Sequence, residues 1–270
     1  MMPKISVIMG VYNCKSFDSL VVSVESIINQ TFEDWEFIIC DDGSTNDTFL
    51  MLNKVASMDS RIRVIGHKKN RGLSGALNYC LEYAKGEYIA RQDDDNDVST
   101  PDRFEKQIRF LEEHPEYDFV GSNCTVFDQF GPAGAWKTPE IVKKGDFLWN
   151  SPFVHAALLF RRKSLEFANG YRVAKETRRC EDYDLFMRMY AKGMKGYNIQ
   201  ENLYHYKVYT TTNEVKYRPM KDRIYEAIVR YKGFKAMGIL WRGIPYVLKP
   251  IVIGVIPQFL FKIIKKKTYN

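Results

Sequence analysis

The sequence predicts an α/β fold in which helices flank a mostly parallel sheet. Two observations predict this: short strand-like apolar runs alternate with stretches of helical spacing, and each run ends in a polar or glycine-rich cluster. Strand followed by helix, repeated along the chain, is typical of βαβ units. The chain has 270 residues, 45% of them hydrophobic, so it can bury a large core, which excludes disordered and fibrous architectures.

Four strands are predicted in the first half of the chain, from short runs rich in β-branched or aromatic residues. These runs cover residues 5–9, 37–40, 63–65 and 88–90. Runs of this kind are typical of strands buried in a parallel sheet.

Helices are predicted between and after these strands, where apolar residues recur every three or four positions. The pattern covers residues 20–28, 49–55, 73–84 and 104–111. Strand and helix therefore alternate from residue 5 onward, and the last of these helices follows Pro101.

The residues that follow each predicted strand are polar or glycine-rich. They are residues 10–13, 41–44, 70–72 and 93–97. Each segment alone has an ordinary explanation as a turn or a helix cap. Because the carboxyl ends of parallel strands meet at one edge of a sheet, their convergence there favours a ligand site.

The acidic run at residues 93–97 indicates a metal. Neighbouring carboxylates at a buried strand end raise each other's pKa unless a cation neutralises them, and an all-oxygen donor set suits Mg²⁺ or Mn²⁺. Such an ion usually shares its ligands with phosphates, so a nucleotide or diphosphate is expected. The alternative, a solvated loop that caps the next helix, explains Asp97 better than it explains three successive carboxylates. Dehydrogenases and P-loop enzymes are disfavoured because their glycine motifs are absent.

Taken together, these motifs resemble those of the family 2 inverting glycosyltransferases of the GT-A fold, of the bacterial surface-polysaccharide type. Residues 6–13, 41–47, 70–72 and 86–95 match the family's successive signatures in order and spacing, over about the first 210 residues. The resemblance implies a Rossmann-like GT-A domain, a nucleotide-diphospho-sugar donor that is usually UDP-linked, and a Mn²⁺ or Mg²⁺ cofactor.

The resemblance assigns the donor side to the ends of the first three strands. Gly10 and Tyr12 would meet the nucleobase, and the Tyr12 ring is able to stack on uracil. Asp42 would accept the uracil N3 proton, and Arg71 would hydrogen-bond the base or the diphosphate.

The acidic run supplies the rest of the donor site in the resemblance. Asp93 or Asp94 would hold ribose or sugar hydroxyls, and the family's Asp-x-Asp motif corresponds to Asp93 and Asp95, which would ligate the metal. The metal would offset charge on the departing UDP.

The acceptor side is assigned to the second half of the chain. Asp182 would be the base that deprotonates the acceptor hydroxyl, with Glu181 beside it. The alternative is that both simply begin a helix, where acidic residues are favoured. His155 and Trp149 are further acceptor-side candidates, although a strand-end histidine explains His155 equally well and a packing role explains Trp149 better.

Three positions depart from the family pattern, and one family motif is absent. Asn96 stands where another acidic residue is common, and Gln92 replaces an apolar one. Tyr209 stands where many members have a histidine, so a histidine metal ligand is not expected there, although His205 is near in sequence. The Gln-x-x-Arg-Trp motif of processive synthases is absent, which favours transfer of a single sugar.

The C-terminal tail differs in composition from the rest of the chain. Residues 215–270 hold 13 of the 40 Lys and Arg residues but only two acidic ones, so the basic excess lies in the tail, which argues against a nucleic-acid binder. Residues 239–264 are apolar and aromatic, yet prolines and charges interrupt them too often for a membrane span. We expect this segment to lie on an anionic membrane surface. A helix packed on the catalytic domain or on a partner is the alternative.

These observations define a domain of residues 1–214 and a helical, basic tail of residues 215–270. Within the domain, residues 1–98 form the nucleotide-sugar half and residues 99–214 the acceptor half. Five scattered cysteines and the lack of a secretory segment indicate a cytoplasmic protein, attached peripherally to the inner face of the plasma membrane. The expected partners are a UDP-sugar and a glycan or lipid-linked acceptor. A sugar nucleotidyltransferase and a non-catalytic nucleotide-sugar-binding scaffold at the membrane remain as alternatives.

Overall fold

The first half of the chain alternates strands and helices as the sequence predicts. The computed structural model describes residues 2–208 and 218–255. Its elements begin with β1 (Ile5–Val11), α1 (Phe17–Ile28), β2 (Trp35–Asp41), α2 (Thr48–Ala56), β3 (Ile62–Gly66), α3 (Leu73–Tyr83) and β4 (Tyr88–Arg91). The four predicted strands and the first three predicted helices are confirmed, with their ends shifted by no more than three residues.

The second half contains the fourth predicted helix, α4, and a series of strands and helices that complete the domain. They are β5 (Val98–Ser99), α4 (Arg103–Glu113), β6 (Phe119–Asp128), β7 (Gly131–Trp136), β8 (Leu159–Arg161), α5 (Arg162–Phe167), α6 (Glu181–Ala191), β9 (Gly196–Lys207), α7 (Met220–Ala236) and α8 (Leu240–Val255).

The strands of the described residues form one sheet in the order β3-β2-β1-β4-β8-β6-β9-β5, with β7 paired to β6. β1, β2, β3 and β4 pair in parallel, as do β6 and β9. Strands β5, β7 and β8 run antiparallel to their neighbours. Because β2 and β4 lie on opposite sides of β1, the chain changes direction across the sheet there, which is where such sheets bind ligands.

Alternate residues of β1 pack into apolar layers on opposite faces of the sheet. Val7 and Met9 belong to the layer that includes Leu20 of α1. Ile8 belongs to the other layer, with Leu77 of α3 and residues of α6 and α7. All are buried, which explains why the strand runs are apolar without alternation.

The helix α7 is anchored to the segment that precedes β8. The buried Arg230 side chain donates to Glu226 Oε1 at 2.8 Å and to the carbonyl oxygens of Leu148 and Trp149 at 3.0 and 3.2 Å.

Across residues 2–208 and 218–255, α8 and the other helices all fall short of the length and apolarity that a bilayer-crossing helix needs. Tyr209 and residues 256–270 of the tail, which figured in the sequence predictions, lie outside the described residues.

Candidate active site

The carboxyl ends of β1, β2 and β4 open into two adjoining cavities that share Leu73, Arg179 and Glu181 in their walls. The first cavity, of about 650 Å³, is lined by all four residues predicted at the ends of the first three strands: Gly10, Tyr12, Asp42 and Arg71. The second, of about 360 Å³, is lined by the predicted Asp93, His155 and Asp182. The fold thus gathers candidates from both halves of the chain at one edge of the sheet.

Gly10 lies where β1 meets the start of α3. A Cβ at this position would lie 3.0 Å from Ala76 Cβ and 3.1 Å from Leu73 Cδ1, so glycine is required for the close approach of the helix. The next aromatic residue, Tyr12, is 48% exposed at the cavity wall. An exposed ring at the end of a rigid strand is available to stack on a planar ligand.

The Asp42 carboxylate organises the loop that precedes α3. Its Oδ1 accepts the Arg71 backbone N–H at 2.9 Å and lies 2.9 Å from His67 Nδ1, and its Oδ2 accepts the Gly72 N–H at 2.7 Å. Each carboxylate oxygen has two acceptor positions, so Oδ2 retains capacity for one more donor. The contact of Asp42 with a nucleobase stays a prediction.

The first cavity has a basic wall that sequence reasoning missed. Besides Arg71 it contains Lys175, Arg178 and Arg179, which precede α6. Arg179 has a φ of 67°, a left-handed conformation that is uncommon outside glycine. Three cations in the six residues before the Glu181-Asp182 pair were visible in the sequence, but the direction of their side chains depends on a loop without a periodic pattern.

Arg91, at the end of β4, is a buried cation directly beneath the acidic run. Its side chain donates to the carbonyl oxygens of Ile8 and Gln92 at 3.0 and 2.9 Å and forms an ion pair with Asp93 Oδ1. This fixes the Asp93 carboxylate at the wall of the second cavity.

Asp94 and Asp95 follow on the same loop. Burial, together with the charges of Asp95 and Asp93, raises the pKa of Asp94 to about 7. Asp95 is solvent-exposed. In residues 2–208 and 218–255 no three His, Cys, Asp or Glu side chains are grouped closely enough to hold a metal by themselves. Two carboxylates with an all-oxygen donor set fit an ion such as Mg²⁺ or Mn²⁺ that takes its remaining ligands from water and a diphosphate.

The two departures in the acidic run have structural roles. The buried Gln92 side chain donates to the Asp97 carbonyl oxygen at 2.9 Å and accepts from the Ser99 hydroxyl at 2.8 Å, so it closes the loop on itself. Asn96 has a φ of 66°, a conformation that asparagine tolerates better than most residues. Gln92 and Asn96 thus shape the loop.

Glu181 and Asp182 occupy the first turn of α6, as the sequence predicts. Burial raises the pKa of both carboxyl groups; for Glu181 it reaches about 7, with the Asp182 charge adding to the effect. The next acid, Asp184, accepts from Arg172 at 2.7 Å and from Arg188 at 2.8 Å and is committed to ion pairs. Among the three acids of this helix turn, Glu181 and Asp182 line the second cavity.

His155 lies beside these acids, with its Nε2 2.8 Å from the Tyr171 hydroxyl. Burial, with a contribution from the Arg91 charge, holds the pKa of His155 well below its usual range, so its ring is neutral near pH 7. The other histidine considered, His205, packs on Phe127 with ring centroids 5.1 Å apart and lines neither of the two cavities.

The two tryptophans of this region take different places. Trp149 lies outside the lining of both cavities; its ring contacts Tyr246 and Lys249 of α8, while the following Asn150 and Ser151 line the second cavity. Trp136 does line that cavity, 47% exposed and edge-on to Tyr206. One aromatic residue of this cavity therefore comes from β7, which has no strand-like sequence pattern, and it joins Phe153, Tyr183 and Tyr206 in the lining.

Comparison with known proteins places this geometry in a family. The family model "Glycosyl transferase family 2" matches residues 6–167. The chain is 40% identical over 266 residues to the glycosyltransferase EpsE of Bacillus subtilis (strain 168), which covers 98% of this chain and 94% of EpsE. It is 31% identical over 236 residues to WfaP of Escherichia coli, a UDP-Glc:alpha-D-GlcNAc-diphosphoundecaprenol beta-1,3-glucosyltransferase, covering 87% of this chain and 89% of WfaP.

The fold is shared with a solved structure. S. aureus TarS 1-349 in complex with UDP-GlcNAc superposes with a TM-score of 0.68 at 16% identity, covering 91% of this chain and 73% of that chain. The likeness therefore extends over most of the chain. The chain belongs to glycosyl transferase family 2 and is a glycosyltransferase with the GT-A fold.

Proposed function

We propose that this glycosyltransferase moves one sugar from a UDP-sugar to an acceptor hydroxyl with inversion of configuration. The observation that carries the proposal is the junction of the two cavities. Arg179 and Glu181 border both cavities, while Asp93 and Asp182, which lie far apart in sequence, both line the second. A donor in the first cavity and an acceptor in the second would meet at this junction.

The first cavity suits a nucleoside diphosphate. Its exposed Tyr12 ring offers a stacking surface for the base, and its basic wall of Arg71, Lys175 and Arg178 offers charged donors for phosphate oxygens. WfaP uses UDP-Glc and TarS binds UDP-GlcNAc, and both facts support uracil as the base. A divalent metal held by Asp93 and Asp95 would supply Lewis-acid stabilisation of the diphosphate.

Asp182 is proposed as the general base. As the acceptor oxygen bonds to the anomeric carbon, the bond from that carbon to the UDP oxygen breaks, and the acceptor proton passes to the Asp182 carboxylate. A base on the acceptor side makes the attack come from the face opposite UDP, which inverts the anomeric centre. The charge that UDP gains is met by the basic wall, with Arg179 closest to the junction because it borders both cavities.

A lipid-linked glycan in polysaccharide synthesis is the proposed acceptor. The support is the diphosphoundecaprenol-linked acceptor of WfaP and the basic, apolar composition of residues 215–270. We propose accordingly that the enzyme works at the cytoplasmic face of the plasma membrane.

Calorimetric titration of UDP into the purified protein, with and without Mn²⁺, tests the donor site. We expect Mn²⁺ to strengthen UDP binding, and we expect Asp95→Asn to remove about 10-fold or more of that gain because a metal ligand is lost. Asp18→Asn, an exposed carboxylate in the first turn of α1, is the matched control and should behave as wild type. Failure to bind UDP at all would refute the assignment of the first cavity.

The products separate the alternative functions. Incubation with UDP-sugars and a glycan acceptor should release UDP in step with glycoside formation. Release of pyrophosphate would indicate a nucleotidyltransferase, and binding without turnover would indicate a scaffold.

A further inference from the structure

The helix α8 is apolar on two opposite sides, and only one of them is covered. On the inner side a Cβ at Gly243 would lie 2.4 Å from the Phe234 ring of α7, and Pro250 is buried. Tyr246 packs edge-on against Trp149 with ring centroids 6.3 Å apart. The inner side is therefore part of the protein core.

The outer side carries a row of exposed apolar side chains. Their spacing of three or four residues places them along one stripe of the helix. Trp241 is 88% exposed and Val255 71% exposed, at opposite ends of the row. We call this stripe the outer face of α8; its members are Trp241, Ile244, Leu248, Val252 and Val255.

The charges around the outer face are basic. Of the two charged residues in α8, Lys249 is turned inward, since its Nζ donates to the Trp149 carbonyl oxygen at 2.8 Å and lies 3.5 Å from the Trp149 ring centroid. Arg242 remains exposed on α8. Within residues 218–255 the only acids are Asp222 and Glu226, and both are held in ion pairs with arginines. Two exposed lysines of α7, Lys221 and Lys235, add to the positive charge, whereas Lys232 is paired with Glu176 at 2.8 Å.

We propose that the outer face of α8 lies in the interface of an anionic lipid bilayer, with the helix parallel to the membrane plane. The inference rests on the proposed function only in assuming that the enzyme works at a membrane. An apolar stripe flanked by basic residues is the pattern of interfacial helices, and sixteen residues extend for about 24 Å along a surface. The chain that follows α8 adds four lysines in its sequence, at positions 262 and 265–267, where the same surface would attract them.

This docking mode brings the acceptor cavity to the membrane. Lys249 of α8 contacts Trp149, and the next two residues, Asn150 and Ser151, line the second cavity. Arg223 of α7 joins the same region, donating to the Pro250 carbonyl oxygen of α8 and to that of Arg218 in the cavity wall. An acceptor with a lipid tail would enter from the side that α8 occupies.

The test is binding of the full-length protein to lipid vesicles. Co-sedimentation is measured with vesicles of phosphatidylcholine alone and of phosphatidylcholine with phosphatidylglycerol. We expect binding to the anionic vesicles. We expect Trp241→Ser combined with Leu248→Ser to weaken this binding about 10-fold or more, because two apolar side chains that would enter the bilayer interface are lost. The matched control is Phe130→Ser, which removes an aromatic side chain that is 84% exposed beside β7 and should leave vesicle binding unchanged.

UDP titration of each variant distinguishes the two proposals. Unchanged UDP affinity with lost vesicle binding supports the outer face as the membrane contact, and shows that the fold is intact. Wild-type vesicle binding by the double variant would overturn the inference. So would a wild-type protein that ignores vesicles but forms a dimer that the double variant abolishes, since the outer face would then be covered by a second copy. If the wild type does not bind UDP, the donor assignment is refuted, while the vesicle result still tests the outer face.

Discussion

Asp182 is a carboxylate whose surroundings suit proton transfer better than charge pairing. Burial raises its pKa, and it lines the second cavity, whereas the neighbouring Asp184 is neutralised by Arg172 and Arg188. Position on the helix alone does not distinguish these acids. The two arginine partners of Asp184 distinguish it from Asp182.

Asp182→Asn should reduce turnover by about 10²-fold or more while UDP affinity stays within about 2-fold of wild type, because the amide cannot accept the proton. Initial rates at saturating donor, combined with UDP titration, measure both quantities. Asp18→Asn controls for the loss of an acid from a first helical turn. Equal losses of turnover and of UDP affinity in Asp182→Asn would contradict the role as base.

Glu181 predicts a pH dependence of stability in the ligand-free protein. Its pKa is raised by burial and by Asp182 to about 7, above its unfolded value of 4.5. A raised pKa means that the folded state holds its proton more tightly, so this contribution is complete below pH 4.5 and is lost as the pH rises through 7. Thermal unfolding should therefore show a Tm that falls between pH 5 and pH 7.5, and Glu181→Gln should make that fall smaller. An unchanged slope in the variant would contradict the shift.

At the residue scale, the acidic residues of the two cavities were easier to recognise from the sequence than the basic residues. The acidic residues form short motifs, Asp93 to Asp95 and Glu181-Asp182, and such motifs can be recognised from their spacing alone. Arg91 was invisible as a site residue because it lies within a strand run, where its burial and its ion pair with Asp93 depend on packing from both sheet faces.

The elements that carry the site are held by close packing as much as by hydrogen bonds. β1 and α3 meet at Gly10, and this contact sets the entrance to the first cavity. The contact is tight because an added Cβ would lie only 3.0 Å from Ala76 Cβ and 3.1 Å from Leu73 Cδ1.

Gly10→Ala should lower the free energy of unfolding by about 1–3 kcal/mol, since the new methyl group overpacks the contact with Ala76 and Leu73. Gly145→Ala is the matched control: nothing lies within 4 Å of its added Cβ, so it should be neutral or stabilising by up to about 1 kcal/mol. Urea denaturation measures both. A neutral Gly10→Ala would show that α3 can shift away from β1.

At the element scale, prediction succeeded where burial is two-sided. β1, β2 and β4 are short apolar runs because helices cover both faces, so their sequences carry a strong signal. The edge strand β3 exposes Arg63 and Gly66, and its signal comes from the buried Ile62 and Ile65. β7, with the sequence Gly-Pro-Ala-Gly-Ala-Trp, is exposed along its length and lacks such a signal. Its position follows from pairing with β6, which is a tertiary event.

At the scale of the whole molecule, the C-terminal helices are bonded to the domain they follow. Arg230 connects Glu226 to the carbonyl oxygens of Leu148 and Trp149, and Glu226 itself lines the second cavity. The boundary at residue 214 stays a prediction, but this buried network connects α7 with the lining of the second cavity.

Arg230→Met should destabilise the protein by about 3 kcal/mol or more, because the Glu226 carboxylate loses a buried partner. Adding Glu226→Gln to this variant should cost less than Glu226→Gln costs in the wild type, because the ion pair with Arg230 is already lost while Arg218 faces residue 226 in both backgrounds. A double-mutant cycle by urea denaturation measures the coupling. Strict additivity of the two changes would contradict the network.

The shared wall of the two cavities has a thermodynamic consequence. Because Arg179 and Glu181 border both, a ligand in either cavity alters the charge and proton occupancy that the other ligand meets. Donor and acceptor are then linked: whatever factor UDP applies to acceptor affinity, the acceptor must apply to UDP. Proton release or uptake on UDP binding near pH 7 would follow from the same wall, and the enzyme would sense the filling of one site as a change in the other.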